Sequence, residues 1–301
     1  MNIIFHADDF GITPEQSSLI LDCLPARTSG AALNSLSVLV NSPHFEQCAN
    51  MLDEYRDSVL MSLHVNIVEG HCCADVTALP LLVDEQGLFK LSFAGLLFAS
   101  LGRSKNELQA QMEIEIGAQM ALYFQRFPEQ RDHLRIDSHQ HFHLIPAVFD
   151  AMLAAAHAQG ATIEFVRIPA EPVLPFLQTP SAWLCIKPVN WVKHWLLNFL
   201  WRFDKKNLPN YPSVSAVFCG INFSGCMTFD NVSKVLPRFI RYSHGKRMVL
   251  ELLFHPGGYS DPACALNPNL EGFVAFYTSE NRKLEAHALK TIRTVADAST
   301  A

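Results

Sequence analysis

Short runs of strand-forming residues alternate with amphipathic helical patterns along nearly the whole chain. The predicted strands cover residues 3–6, 35–39, 59–65, 134–138, 162–168, 213–218 and 248–254. Predicted helices lie between them, at residues 14–24, 43–56, 105–127, 146–159, 230–242 and 280–296. Parallel neighbouring strands need crossover connections, so this alternation predicts a mainly parallel sheet. The number of strands favours an α/β barrel.

The length and composition of the chain fit one folded domain. Of its 301 residues, 49% are hydrophobic and 17% charged, which supplies a large core and excludes a disordered chain. Two average domains would also fit this length, but α/β barrels commonly use it as one. We therefore expect a single domain over residues 1–301, with an insertion at about residues 171–212.

Residues 171–212 interrupt the alternation of strands and helices. They contain six prolines and all four tryptophans of the chain. Pro188, Lys193 and His194 interrupt the apolar stretch, which makes it a poor transmembrane span. An amphipathic helix near residues 189–203 is expected instead. Large aromatic side chains at this density serve core packing, a lid or wall of the substrate site, or a dimer contact.

The charge and cysteine patterns exclude several classes of protein. The formal net charge is −6, without the basic stripe that nucleic-acid-binding proteins carry. The first residues have neither the basic region nor the sustained apolar run of a signal peptide. Eight cysteines are scattered without CxxC spacing, which indicates free thiols in a reducing compartment. We expect a cytoplasmic protein with no transmembrane segment and no nucleic-acid partner.

Polar residues follow several of the predicted strands. Asp8 and Asp9 come after the first strand, where two adjacent carboxylates are costly unless a cation or a proton compensates them. A turn or helix cap would also explain this pair. His64 ends another strand, and a lone strand histidine is more often structural than a ligand. Parallel α/β folds gather catalytic groups at the carboxyl edge of the sheet, so these positions are informative together.

The densest group of candidate ligands is His139, His141 and His143. Their alternate spacing would place them on one face if the chain stays extended. Neutral imidazole is the commonest metal ligand, so this cluster favours metal binding. His255 enters a Pro-Gly turn, where a turn residue without chemistry is an equally simple explanation. Aspartate and histidine from separate strand ends form the mixed O/N set of an open catalytic metal site.

These clusters, in this order, resemble the YdjC-like, or ChbG/HpnK, carbohydrate deacetylases. The family's N-A-D-D-F-G matches residues 6–11, H-x-N-x-x-E-G matches 64–70, D-S-H-x-H-x-H matches 137–143 and H-P-G matches 255–257. The resemblance covers about residues 3–260 and is weakest over 171–212. His6 replaces the family's usual asparagine, which leaves the hydrogen bonding behind the aspartate pair open.

The resemblance implies a distorted (β/α) barrel related to NodB-type polysaccharide deacetylases. It implies hydrolysis of an N-acetyl group on an amino-sugar or oligosaccharide substrate. Asp9, His64 and His139 would bind one divalent metal ion, with Mg²⁺ or Zn²⁺ expected. Asp8 would be the general base that activates water, and His255 the acid that protonates the leaving amine.

The substrate is expected to contact a further set of side chains: Arg167, His141, His143 and Asn66. Arg167 follows another predicted strand and would either contact substrate or steady the carboxylates. The resemblance also implies a homodimer and allows a lipid-linked amino sugar as substrate.

Two other functions remain open on the same residues. Asp/His sites on barrels also serve phosphoesterases and other metal-dependent hydrolases. A phosphate substrate would favour more basic groups than Arg167, which stands alone near the motifs. A non-catalytic metal- or sugar-binding regulator could use the same pocket without turnover. The presence of Asp8 and His255, in addition to the three metal-ligand candidates, argues against that alternative.

Overall fold

The computed structural model describes residues 3–208, 210, 213–267 and 271–300. Its centre is a parallel sheet of seven strands in the spatial order β5-β4-β3-β2-β1-β7-β6. The strands are β1 (Ile3–Phe10), β2 (Ser35–Val38), β3 (Leu60–Val65), β4 (Leu134–Ser138), β5 (Ile163–Val166), β6 (Ala216–Cys219) and β7 (Val249–Phe254). The predicted α/β class and parallel sheet are therefore confirmed.

The sheet curls until its two edge strands approach each other. The main-chain N–H of Val166, at the end of β5, donates to the carbonyl of Val214, just before β6, at 2.9 Å. Phe165 and Ala216 also belong to one small apolar cluster with Ile4, which lies on β1. This curvature directs the carboxyl ends of the strands toward a common centre, as in the expected distorted barrel.

Helices connect the strands and cover the outside of the sheet. They are α1 (Pro14–Leu21), α2 (Phe45–Asn50), α3 (Phe93–Ala99), α4 (Lys105–Arg126), α5 (Pro146–Ala158), α6 (Leu174–Leu177), α7 (Pro180–Trp183), α8 (Pro188–Asp204), α9 (Phe229–Lys246), α10 (Glu271–Tyr277), α11 (Asn281–Thr291) and α12 (Arg293–Thr300). The predicted helix at 280–296 is thus two consecutive helices, α11 and α12.

Helix α4 illustrates how the apolar pattern sets the packing. Leu108, Met112, Ile116, Met120 and Tyr123 recur at helical spacing and are all buried. This face packs against α5 and the β3 strand, inside the main hydrophobic core.

The described part of residues 171–212, the segment expected to be an insertion, contains three helices, of which α8 is the longest. It covers Pro188–Asp204, so the amphipathic helix expected near residues 189–203 is confirmed. Leu197, Leu200 and Trp201 of α8 belong to the same hydrophobic core as the sheet. In the described residues, no helix combines the length and apolar character needed to cross a bilayer.

Candidate active site

An irregularity in β1 brings two aspartates to the carboxyl edge of the sheet. The pairing of β1 with β2 shifts register between Ala7 and Phe10, which is the signature of a β-bulge. Asp9 lies within it and has a φ of 68°, a left-handed conformation that costs energy for a residue other than glycine. Successive side chains of a regular strand point to opposite faces, so the bulge allows both Asp8 and Asp9 to face the site.

Gly11 completes this turn and can be nothing larger. Its φ is 114°, and an added Cβ would lie 2.6 Å from the carbonyl oxygen of Leu39. The backbone shape of the Asp-Asp-Phe-Gly segment therefore depends on a glycine at this position.

His64 is oriented by its neighbour on the next strand. His64 of β3 lies opposite Asp137 of β4 in the parallel ladder, and its Nδ1 is hydrogen-bonded to the Asp137 carboxylate. The other ring nitrogen, Nε2, faces Asp9 Oδ1 at 3.3 Å. A carboxylate on one imidazole nitrogen fixes the ring so that the other nitrogen can act as a ligand.

His139 reaches Asp9 from a different segment. It begins a 3₁₀ turn, His139–Leu144, directly after β4. Its Nδ1 lies 3.0 Å from Asp9 Oδ1, and its Nε2 lies 3.1 Å from Glu69 Oε2. Gln140 and His141 adopt left-handed φ values of 52° and 60°.

The three alternating histidines do not share one face, because the chain does not stay extended as that arrangement requires. The chain turns immediately after His139, and the three side chains have separate surroundings. His141 lines the cavity described below, whereas His143 is buried, with its ring bonded to Ser138 Oγ and to the carbonyl of Arg167.

The donor set of Asp9, His64 and His139 fits a divalent metal ion. One ligand atom from each residue lies within 4.8 Å of the others, and all three residues are buried. His64 Nε2 is buried without a hydrogen-bond partner, as expected of a nitrogen positioned for a cation. A second group, His6, Asp8 and Asp137, also has suitable spacing. Its members are already bonded to Arg167 and to serine hydroxyls, so the first group fits better.

Arg167 neutralises the carboxylates that surround the site. It is fully buried and makes ion pairs with Asp8 at 2.8 Å, Asp137 at 3.1 Å and Glu251 at 2.8 Å. Burial opposes ionisation of Asp8, but the charges of Arg167 and His64 outweigh it and hold its pKa well below the usual range. Asp8 is therefore a carboxylate at neutral pH.

The buried carboxylates also change the pKa values of the histidines nearest to them. Burial opposes a charge on His64, yet the carboxylates of Asp8 and Asp137 raise its pKa to about 10. Burial likewise opposes a charge on His139, and Asp9 raises its pKa to about 9. The cluster thus favours positive charge between the carboxylates, which a divalent cation would supply in place of protons.

His6 replaces the asparagine of the family motif, and both of its ring nitrogens have hydrogen-bond partners. Its Nδ1 lies 2.8 Å from Ser35 Oγ, and its Nε2 lies 2.7 Å from Ser37 Oγ. Ser37 in turn donates to the Asp137 carboxylate. His6 is therefore linked through Ser37 to Asp137, the residue that orients His64. These bonds form the hydrogen-bond network behind the aspartate pair.

His255 enters the site from the loop after β7. Its Nε2 lies 3.8 Å from Asp8 Oδ2. Glu285 of α11 accepts a hydrogen bond from the His255 main-chain N–H at 2.6 Å, and Arg282 donates to the His255 carbonyl at 2.8 Å. Arg282 and Glu285 form a buried ion pair at 2.9 Å. A C-terminal helix thus fixes the backbone of this histidine.

A cavity of about 900 Å³ opens over these residues. Asp8, Asp9, His139, His141 and His255 line its floor, so two of the three candidate metal ligands, Asp9 and His139, lie beside free space large enough for a sugar. Apolar side chains from α8 and α10 form much of its wall: Leu196, Leu197, Phe273 and Phe276. A second cavity, of about 700 Å³, lies at the opposite, amino-terminal ends of the strands and contains none of these groups.

Comparison with known proteins assigns this arrangement to a family. The model of the YdjC-like protein family matches residues 2–296. The chain belongs to the YdjC-like family. A carbohydrate deacetylase of Mus musculus is 27% identical over 96% of this chain and 88% of its own length. A chitooligosaccharide deacetylase of Serratia marcescens is 29% identical over 60% of this chain and 65% of its own length.

A solved structure supports the fold independently. An Enterococcus faecalis V583 protein, described as a candidate for cellobiose-phosphate cleavage, superposes with a TM-score of 0.65. The match covers 99% of this chain and 94% of that one at 14% identity, so it shows a common fold alone.

Two of the residues expected to contact substrate in this YdjC-like protein lie away from the cavity. His143 and Asn66 are 0% exposed and do not line the cavity. The Asn66 amide bonds to Asn41 and Glu69 and its carbonyl oxygen accepts from the backbone, so it shapes the loop after β3. Arg167 is equally buried and pairs with three carboxylates, which favours the second of its two expected roles, that of steadying the carboxylates. His141 alone of this set faces the cavity.

Several site residues had no role assigned from the sequence. Asp137 and Glu69 lie within the recognised motifs, and their acidic character beside candidate ligands was a usable signal. Glu251 lies inside an apolar strand, where a buried carboxylate indicates a charged partner. Arg282 and Glu285 occupy an ordinary helical pattern, and no local signal distinguishes them.

Proposed function

We propose that this protein is a metal-dependent deacetylase that hydrolyses an N-acetyl group on an amino sugar or oligosaccharide. This proposal is supported by one group of residues at and beneath the floor of the cavity. Asp9, His64 and His139 form a cation-binding group, with Asp8 and His255 beside it, 3.8 Å apart. Amide hydrolysis needs a polarised carbonyl, an acceptor for the proton of water and a proton donor for the amine. Two relatives, the mouse carbohydrate deacetylase and the Serratia chitooligosaccharide deacetylase, support the same reaction class.

Three residues are proposed to hold the ion: Asp9, His64 and His139. A divalent cation in such a site polarises a carbonyl oxygen and lowers the pKa of water. Asp137 orients His64, and Glu69 bonds to the His139 Nε2, so each histidine has a carboxylate partner behind or beside it.

Asp8 is proposed as the general base. Both of its oxygens accept from Arg167, at 2.8 and 3.0 Å, which fixes the carboxylate and keeps it ionised. An ionised, positioned carboxylate at the cavity floor can take a proton from water. Arg167 contributes by holding Asp8 in place and by neutralising Asp137 and Glu251, which would otherwise crowd the site with negative charge.

His255 is proposed as the general acid. Its side chain is 17% exposed, at the edge between the cavity and the buried cluster. Its distance to Asp8 allows the proton collected there to reach the leaving amine through a small rearrangement or one water. His141 is proposed to contact the sugar, because it lines the cavity and its Nδ1 has no partner.

Four finer points belong to this proposal. Two imidazoles and one carboxylate suit Zn²⁺ better than the oxygen-preferring Mg²⁺, with one ion per chain. A cytoplasmic location is supported by eight free cysteines. A homodimer is expected from the family resemblance alone. The apolar cavity wall supports an amino sugar that carries an apolar group, including a lipid-linked one.

The proposal is tested by removing the metal, reloading the protein with defined ions and measuring the release of acetate and of phosphate. The protein is treated with a chelator, reloaded with Zn²⁺, Mg²⁺, Mn²⁺ or Co²⁺, and incubated with N-acetylated chitooligosaccharides. We expect acetate release that is lost on chelation and restored by at least one ion. Phosphate release from a phosphorylated sugar without acetate release would assign a phosphoesterase instead. Tight metal and sugar binding without either product would assign a regulator.

A further inference from the structure

One face of α8 exposes large apolar side chains to solvent. Val192, Trp195, Phe199 and Phe203 are 66%, 59%, 52% and 50% exposed. They recur every three or four residues and so lie on one side of the helix. Val189, one turn earlier, is 55% exposed and extends the face. A contiguous apolar surface of this kind on a folded protein marks an interaction site.

The helix itself is firmly attached to the body of the protein. His194, Leu197 and Leu200 on its opposite side are buried, and Asn190 donates to the carbonyls of Asn222 and Ser224. Phe199 and Phe203 contact each other with ring centroids 5.3 Å apart. The exposed apolar face is therefore presented by a fixed element, which reduces the entropy lost when a partner binds.

The charged residues of the segment that carries this face are almost all positive. Residues 172–229 contain five lysines or arginines and a single carboxylate, Asp204, in a chain of net charge −6. Asp204 is buried, whereas the basic residues of the helix and its flanks are exposed: Lys187, Lys193, Arg202, Lys205 and Lys206. Within this stretch the exposed charges are therefore all cationic; other elements bring two acidic side chains near it, Asp150, which accepts from Asn207, and Glu271, which lines the cavity with Lys193.

The same helix forms part of the cavity wall. Lys193, Leu196 and Leu197 line the cavity, and Leu196 continues toward the exposed face at Val192 and Phe199. Helix α3 also forms part of the wall, through Phe93 and Ala94. Near its C-terminal end, Phe98 and Leu101 are 71% and 76% exposed. Apolar surface is therefore continuous with the entrance of the candidate active site along α8.

We propose that the apolar face of α8 docks on an anionic lipid surface, with Trp195 and Phe199 in the acyl boundary and the basic residues at the headgroups. An amphipathic helix with exposed aromatic residues and flanking Lys and Arg has the composition of an interfacial membrane helix. A second copy of this chain fits less well, because a two-fold contact through α8 would bring the same basic residues together. Docking would place the cavity entrance beside the membrane, where a sugar attached to a lipid can enter. This role for docking in substrate entry rests on the proposed deacetylase function.

Vesicle binding tests the docking without any substrate. The full chain is mixed with vesicles of phosphatidylcholine alone or of phosphatidylcholine with phosphatidylglycerol, and bound protein is measured by co-sedimentation. We expect binding to the anionic vesicles that weakens with salt. Trp195→Ser combined with Phe199→Ser should reduce it at least about tenfold. Lys205→Glu combined with Lys206→Glu should also reduce it, since each basic residue near the surface contributes.

Matched controls separate docking from general surface effects. Ile114→Ser removes an exposed apolar side chain from α4, and Arg241→Glu reverses an exposed charge on α9. Both should leave vesicle binding unchanged. Acetate release from a soluble chitooligosaccharide should be the same in the Trp195/Phe199 variant and the wild type, so failure of the deacetylase proposal is distinguished from failure of docking.

Two outcomes would overturn the inference. The first is wild-type protein that ignores anionic vesicles. The second is a wild-type dimer in analytical ultracentrifugation that the Trp195/Phe199 variant converts to monomer, which would assign the face to a second copy.

Discussion

Glu285 accepts a hydrogen bond from the main-chain N–H of His255 at 2.6 Å, which ties helix α11 to the loop after β7. The other oxygen of Glu285 accepts from the Met227 N–H and from Arg282. One buried carboxylate therefore fixes both the His255 loop and the segment that precedes α9. Its role is positional, because it holds the His255 backbone, faces the ring Nδ1 at 4.0 Å and does not line the cavity.

We predict that Glu285→Ala lowers kcat about ten- to a hundredfold while metal content stays unchanged, because a small displacement of a positioned group is enough for a loss of that size. Glu285→Gln retains an acceptor oxygen and should recover part of the rate. Steady-state kinetics and elemental analysis measure both effects. Glu280→Ala is the matched control, since Glu280 forms the same i,i+3 pair with Lys283 but on the exposed surface. Equal losses in the Glu280 and Glu285 variants would contradict the positional role.

The fold could be predicted because its pattern is local. Alternating strands and helices, and polar residues such as Asp8, His64 and His255 at strand ends, follow from periodicity along short segments. The register that brings His64 opposite Asp137 comes from the pairing of β3 with β4 in the structure.

What could not be predicted depends on backbone irregularity and on long-range contacts. The left-handed residues Gln140 and His141 turn the chain, whereas a shared face for the three histidines required it to stay extended. Glu285 lies 30 residues from His255, on a helix whose pattern is that of any amphipathic helix. Burial of His143 and Asn66 likewise follows from neighbours distant in the sequence or from loop shape.

We predict that Asp9→Ala, His64→Ala and His139→Ala each abolish tight binding of a divalent ion, because a three-residue site tolerates no lost ligand. Asp137→Asn should weaken binding by a smaller factor, about 10–100-fold, since it removes the carboxylate that orients His64. Calorimetric titration of the metal-free proteins measures these constants. His133→Ala, at an exposed histidine outside the site, should bind as the wild type does. Full metal occupancy in the His64 or His139 variant would refute the ligand assignment.

We predict that Asp8→Asn and His255→Ala retain the metal but lose activity about 10²–10⁴-fold, the usual contribution of general acid–base groups. Asp8→Asn also leaves Arg167 facing one carboxylate fewer, so its thermal stability should be compared with the wild type. Acetate release under saturating metal is the measurement. Near-wild-type turnover in either variant would show that the role given to that residue is wrong.

The last prediction concerns Asp204, at the end of α8. Both of its carboxylate oxygens are buried without a hydrogen-bond partner, and a negative charge at a helix C-terminus opposes the helix dipole. Burial, with a smaller contribution from Asp150, raises its pKa to about 8. An unfolded aspartate has a pKa of about 4. Between these two pKa values the folded state holds a proton that the unfolded state has lost. The contribution of Asp204 to the free energy of unfolding therefore falls as the pH rises from about 4 to about 8, and it is constant above that.

Asp204→Asn removes this titration while keeping the side-chain shape. We expect its melting temperature to exceed that of the wild type by a margin that grows from pH 5 to pH 8, measured by thermal unfolding at constant ionic strength. Asp132→Asn changes the net charge equally at an exposed position and should show no such trend. A constant difference across this pH range would mean that Asp204 is ionised in the folded protein, with a partner that compensates its charge.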